Sequence, residues 1–394
     1  MSKVLLLHIP LALSLTMLSA CGHGGKKHPQ GSQQTVSQTQ FGQLLARQET
    51  GKTLNLRGRR LKNLDLSDIT LQNVDLSNST LENVDLHDSV IKDSILTGIH
   101  IRHSNLSSVR LLNVRMSGCQ LSDVRLDDSE ISNSAFQDCS FQRISFKAAQ
   151  VDRSRFDQSR FVDIDFRGIA LHANRFHKSD LSRARLQGLA LGSNDFSGSR
   201  LSHAALFGAD LSEAMLSRAD LSSTDLRHAR LIYADLNVAR LDKANLDDAE
   251  AYGASLVAAT LRQASLNRTN LNQADLRESD LREARLHHTL LRGARLKQAR
   301  LTWARLWRVD LQNADLSHLQ ASQARFIETR MDNANLKWAD LSQTRLHGSR
   351  FTAADVYKMN LNGADLRDTD FTACSGSEKI IGLDKTRHLE EARF

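Results

Sequence analysis

The amino-acid sequence predicts an all-β solenoid of about 16 four-sided coils with short helical caps, and three observations lead there. From Leu56 to Phe371 an apolar residue stands at every fifth position, 64 times in succession, with no insertion or deletion. Side-chain types also correlate at a spacing of twenty residues. Both prolines, Pro10 and Pro29, lie before residue 30, so no later residue removes a donor from a continuous backbone ladder. The composition agrees with a long folded unit. Of 394 residues, 40% are hydrophobic and 25% charged, which excludes collagen-like, disulfide-dense and wholly disordered chains.

The first twenty residues read as an export signal. Lys3 supplies a positive start, Val4 to Leu18 is an apolar stretch too short for a membrane span, and Leu18-Ser19-Ala20-Cys21 closes it. Those last four residues resemble the lipobox of bacterial lipoproteins. The resemblance implies that Cys21 becomes the acylated first residue of the mature chain. Gly22, in place of Asp, implies an outer-membrane destination facing the periplasm. Acyl chains contribute roughly 0.8 kcal/mol per buried methylene, so three of them would hold the chain at the membrane. Losing residues 1–20 removes one base, Lys3, and no acid, which lowers the formal charge from +7 to +6.

Residues 21–39 are rich in Gly, Gln, Ser and His and are expected to form a flexible, solvated tether. Residues 40–55 are expected to cap the solenoid. Gln40 to Glu49 has the spacing of a short amphipathic helix, with Phe41, Leu44 and Leu45 available to lie on the first coil.

Residues 56–375 carry the repeat. Two residues before each apolar centre stands a small or modest side chain: Val74, Ser79 and Val84 early, then Ala204, Ala209, Ala214 and mostly Ala onward. A period of five fits neither standard element. On a helix five residues advance about 500°, and on a straight strand every second centre would flip faces. The chain must therefore turn a corner about every five residues, with the centre and the residue two before it pointing inward. The number of sides follows from the columns. Phe136, Phe156, Phe176 and Phe196 recur at twenty, and so does the outward series Arg160, Asp180, Arg200, Asp220, Arg240. Alternating charge suits strands stacked about 4.8 Å apart. Twenty residues per lap makes four sides.

The pattern Ala209-Asp210-Leu211-Ser212-Glu213, echoed at Ala219-Asp220-Leu221 and Ala274-Asp275-Leu276, resembles the pentapeptide-repeat family. The resemblance implies a right-handed quadrilateral parallel β-helix. The early laps depart from the pattern with Leu64, Ile69, Val74, Val84, Val109, Val114 and Val124 at the minus-two site, which points to a looser cross-section there. The period stops at Gly376. Residues 376–394 are expected to cap the last coil through Ile380, Ile381, Leu383, Leu389 and Phe394. In some family members such a segment also forms a homodimer.

No phosphate loop, paired-His helix or nucleophile elbow is present, and regularly spaced Asp and Arg on a convex rod offer no cleft for catalysis. Neither catalysis nor a cofactor or metal is expected, and His228, His287 and His288 read as solvated. Cys119 and Cys139 share the minus-two column of adjacent coils, where a disulfide is within reach, although parallel Cβ vectors favour two buried thiols. The column Arg285, Arg305, Arg325, Arg345 breaks the alternation of charge. With Trp303 at the preceding corner and Trp307 two residues past Arg305, it forms a candidate binding stripe. Glu283, Glu328 or neighbouring Asp residues on other sides could neutralise it.

The expected function is that of an envelope-anchored, non-catalytic scaffold for a protein or an anionic glycan. The resemblance implies two alternatives. Some family members mimic duplex DNA with an acidic rod and bind gyrase, which the net positive charge and the export signal oppose. Others are secreted effectors, which a lipid anchor opposes. Nucleic acid is not an expected partner.

Overall fold

The computed structural model describes residues 33–161 and 164–394. The expected signal peptide, Cys21 and the first part of the expected tether lie outside the described residues. From Leu54 onward the chain is a parallel β-solenoid in which each residue pairs with the one twenty positions later. Leu54 faces Val74, Gln120 faces Ser140, Arg285 faces Arg305, and the register persists to Asp355 facing Ser375.

One five-residue side shows why the repeat has its length. Leu281 donates its N–H to Arg300 O at 2.7 Å, Glu283 to Thr302 O at 3.1 Å, and Arg285 to Ala264 O at 3.0 Å, so three donors enter the ladders. Ala284 N–H closes the corner on Leu281 O at 3.1 Å. The fifth donor, Arg282 N–H, goes to the Asp280 carboxylate at 3.2 Å. Every N–H is satisfied, which is the condition for burying a backbone. The frequent Asp before each centre thus has a local task, bending the chain through an Asx turn. The corner itself is made two residues after the centre, where φ is left-handed: 56° at Asp68, 61° at Glu283 and 60° at Trp303.

The interior is filled by the centres, all buried from Leu56 to Phe371, and by the minus-two residues. Phe136, Phe156, Phe176 and Phe196 stack with ring centroids 4.8, 5.1 and 5.2 Å apart, as the twenty-residue columns require. Phe141 and Phe161 form a second stack at 4.4 Å. Early laps enclose an apolar void of about 10 Å³ running past Leu81, Leu106 and Phe136, whose lining offers no polar partner to a water. The looser cross-section expected from the bulkier minus-two residues is present to that small extent.

The N-terminal cap begins before residue 40. Thr35–Val36 pairs in parallel with Arg60–Leu61, and Val36 is buried, so the tether does not extend through 39 as expected. Ser37 then caps helix α1 (Gln38–Ala46) in a reciprocal box with Gln40, and Phe41 is buried. The glutamines that suggested a solvated linker have work at the open edge. The Gln38 amide donates to Asp65 O at 2.6 Å and accepts from Asp65 N–H at 3.1 Å, as a neighbouring strand would. Gln33 and Gln48 reach Asn78 O and Gln72 O. A side-chain amide carries the same donor and acceptor as a peptide, so composition alone could not separate linker from cap.

At the other end the ladder continues past Gly376 with longer steps. Asn360 faces Ile381, Asp365 faces Arg387 and Asp370 faces Arg393. Each side of this last lap carries a single 3-10 turn, at Ser377–Lys379, Leu383–Lys385 and Leu389–Glu391. Each turn is entered through a left-handed residue: Gly376, Gly382 and His388. At Gly376 a Cβ would come within 2.9 Å of Tyr357 Cα, so only glycine fits. Ile380, Leu383 and Leu389 pack on the core, whereas Ile381 points outward, contrary to expectation, because it occupies the bridging position before a corner. Phe394 stacks on Phe371 at 5.0 Å and closes that column.

Candidate anion-binding stripe

The solenoid register brings the four arginines together. Arg285–His287, Arg305–Trp307 and Arg325–Ile327 form a three-stranded parallel sheet, and Arg345 bridges to Arg325, so the four Cα atoms line up in one column. At a strand spacing of about 4.8 Å the column is roughly 14 Å long. All four side chains are exposed. Among the described residues no carboxylate lies within 4.0 Å of any of their guanidinium groups.

Two other places in the molecule show how this fold ordinarily treats stacked arginines. Arg155 and Arg175 are neighbours in adjacent laps, and Asp157 sits between them, 3.2 Å from Arg155 and hydrogen-bonded to Arg175. Burial alone would raise the Asp157 carboxyl, but the two guanidinium groups override it and hold it below its ordinary value. Arg330 and Arg350 share Asp332 in the same way, at 3.8 and 3.1 Å. In both cases the acid stands two residues after the first arginine and is almost fully buried. The equivalent positions in the stripe are His287, Trp307, Ile327 and His347. The internal counter-ion is missing.

The nearby acids are engaged elsewhere. Glu283 accepts from the Gln263 amide at 2.9 Å, and Glu328 is bound by Arg308 at 2.6 Å, which holds its carboxyl below the ordinary range. Asp365 is the lap neighbour of Arg345, yet it faces His347 Nε2 at 3.0 Å and His388 Nδ1 at 2.8 Å. Burial would push this carboxyl up, and the two imidazoles outweigh that and hold it at about 2. His287 is half-buried rather than solvated. Its pKa is lowered first by burial and then by the cations His288, Arg285 and Arg305, which together outweigh the opposing charge of Asp247.

The tryptophans separate into two kinds. Trp307 is 38% exposed, with Arg308 over its face at 4.8 Å and His288 against it at 5.0 Å. Trp303 is 54% exposed at its corner and has no aromatic or cationic partner among the described residues. Beside it lies a shallow hollow of about 610 Å³ lined by Lys243, Gln263, Glu283, Arg285, Trp303 and Arg305. The sequence reading missed Lys243 and Gln263. The signal was available, because residues 243, 263, 283 and 303 form one corner column at the twenty-residue spacing.

Cys119 and Cys139 occupy one inward column, with Cα atoms 4.6 Å apart and their sulfurs joined in a disulfide rather than left as the two thiols that parallel Cβ vectors favoured. In the next laps the column continues as a short hydroxyl ladder: Cys139 N–H donates to Ser159 Oγ and Ser159 N–H to Ser179 Oγ. Cys374 is unpaired, and burial pushes its thiol up to about 11. Among the described residues no group of three or more His, Cys, Asp and Glu is placed to hold a metal ion.

The family model described as pentapeptide repeats matches residues 55–88, 195–231, 219–256, 254–293, 294–333 and 329–368. A second, the pentapeptide repeat region, matches residues 89–166. No curated protein matches the chain. Among solved structures, HetL is a pentapeptide repeat protein involved in heterocyst differentiation regulation from the cyanobacterium Nostoc. It is 27% identical over 61% of this chain and 87% of its own, with a TM-score of 0.30. Rfr23 from the cyanobacterium Cyanothece is 26% identical over 33% of this chain and 85% of its own, with a TM-score of 0.20. QnrB1, a plasmid-mediated fluoroquinolone resistance protein, is 18% identical over 55% and 90%, with a TM-score of 0.27. Likenesses at these scores support no argument about function. The family models cover more than half of the chain with the repeat that builds the laps, and the chain belongs to the pentapeptide-repeat family.

Proposed function

We propose that this protein is a non-catalytic scaffold, anchored at a bacterial cell envelope through lipid on Cys21, that presents the Arg285–Arg345 column to an anionic partner, a protein or a glycan. One observation carries the reading. Where the fold stacks arginines at Arg155/Arg175 and Arg330/Arg350 it inserts a buried aspartate, and along the stripe it inserts none. Like charges about 5 Å apart repel, and an external anion would supply the missing counter-charge. Guanidinium groups suit carboxylate, sulfate and phosphate alike. The net positive charge opposes a DNA mimic.

The double variant Arg305→Glu/Arg325→Glu should keep the melting temperature within a few degrees while losing at least tenfold in retention on an immobilised polyanion at 0.15 M salt. Unchanged retention would dispose of the stripe. For the anchor, labelled palmitate should enter the wild-type chain in a bacterial host and not Cys21→Ser. Equal labelling of both would refute acylation at Cys21.

A further inference from the structure

The geometry points to an acidic polysaccharide as the ligand of the stripe, with one of its sugar units seated in the hollow beside Trp303. This rests on the preceding reading that the stripe takes an anion, and adds the class of ligand.

Three features of the hollow select a sugar over other anions. First, Trp303 presents an open ring face. The chain has three tryptophans; Trp307 is covered by Arg308 at 4.8 Å and Trp338 by Lys358 at 4.3 Å, while Trp303 carries no such cover. A pyranose ring has one flat face of C–H groups that packs on an indole, and an acidic polypeptide has nothing equivalent. Second, the Gln263–Glu283 pair, joined at 2.9 Å, offers amide N–H and carboxylate oxygen side by side at the wall of the hollow. Sugar hydroxyls both donate and accept and can use each, so a uronate can turn hydroxyls toward Glu283 and its carboxylate toward the cations, whereas a glutamate side chain has no hydroxyl to offer. Third, Lys243, Arg285 and Arg305 border the same hollow and have no carboxylate within 4.0 Å among the described residues, so the acid group of the seated unit finds cations on two sides.

The direction of the stripe continues the argument. Arg325 and Arg345 follow Arg305 in successive laps, at the strand spacing of about 4.8 Å. A polyuronate that advances by a comparable step per sugar would place consecutive carboxylates over consecutive arginines. Single-stranded nucleic acid fits less well, since its successive bases call for successive aromatic platforms, and along the stripe, among the described residues, Trp303 alone has an uncovered ring face.

The test titrates the folded protein at 0.15 M salt with oligogalacturonate, with poly-L-glutamate of matched charge and with oligothymidylate, using wild type, Trp303→Asn and Arg305→Glu. Asparagine keeps the left-handed corner, and the melting temperature of each variant checks the fold. Oligogalacturonate should bind most tightly and change the tryptophan fluorescence. Trp303→Asn should weaken it at least tenfold and leave poly-glutamate within twofold, while Arg305→Glu weakens both. If poly-glutamate or oligothymidylate binds wild type as tightly as the glycan, or if Trp303→Asn leaves glycan affinity unchanged, the sugar assignment is overturned while an Arg305→Glu effect keeps the anion stripe. If none of the three binds and Arg305→Glu changes nothing, both fall.

Discussion

Val238 shows what the repeat demands of a single residue. It stands two places after the centre Leu236, at φ 60°, and is 51% exposed. A β-branched side chain in the left-handed region crowds the following carbonyl, at a cost of roughly 1–2 kcal/mol, and packing recovers little at such exposure. Val238→Asn should therefore raise the stability by about 1 kcal/mol, seen as a higher melting temperature with no change in lap structure. A lower melting temperature would mean that Val238 is held by contacts that outweigh its backbone strain. The inward positions obey the opposite logic. Cys374 donates its thiol to Phe351 O at 2.9 Å, the role that Ser349 plays toward Phe326 O, so hydroxyl and thiol are interchangeable donors there. Within the stripe, His347 is held by Asp365 and Trp307 by Glu328, whereas the side chains of Trp303 and the four arginines make no hydrogen bond to the rest of the fold among the described residues.

Among the elements, the two end laps do what interior laps need not: they satisfy a ladder that has no next strand. The N-terminal lap uses the Gln38, Gln48 and Gln33 amides together with the Thr35–Val36 strand. The C-terminal lap uses three 3-10 turns and is tied to the solenoid by Asp365, which faces His347 and His388. This tie is pH-dependent with a defined sign. The folded carboxyl sits at about 2 against an ordinary 3.8. A depressed folded value stabilises above the unfolded value, so the contribution is complete above about pH 4 and is lost as the pH falls toward 2. Amide hydrogen exchange at Leu366 and Arg387, which hydrogen-bond across this junction, should accelerate over that window before the middle laps respond. Asp365→Asn should flatten the dependence. An unchanged acid profile in that variant would show that another group ties the lap.

At the scale of the whole molecule, each lap touches only the laps before and after it, so stability is close to a sum of local terms. Leu226→Ala, in a fully buried centre, should cost about 2–5 kcal/mol through lost burial and the cavity left behind. Exchange should rise in the laps around residue 226, while the amides of Leu66 and Phe371 near the two ends keep their protection. A uniform rise along the rod would contradict the one-dimensional description. The same geometry makes the surface a lattice, with any four residues at a spacing of twenty presented as a straight line. A binding stripe can therefore arise by substitution in one column without disturbing the core, and the Arg285–Arg345 column is the longest such run of one charge.

The periodicity of the sequence sufficed for the architecture. Sixty-four unbroken apolar centres at a spacing of five leave room only for a chain that turns a corner at each, and the twenty-residue columns of Phe136 to Phe196 set the number of sides. Both are repeated many times over, so no single ambiguous residue matters. It also aligned the four arginines and placed Cys119 beside Cys139. The ends depended on tertiary structure, because Gln33 and Gln38 act once each, against a particular open edge, and a glutamine of a linker and a glutamine capping a strand are the same residue. So did the charge state of the stripe. Glu283, Glu328 and Asp365 all lie close enough in sequence to neutralise it, and only their positions in space show that each is turned toward Gln263, Arg308 or a pair of histidines instead. Pairing between charges depends on side-chain direction over a few ångströms, and a repeat period carries no information on that.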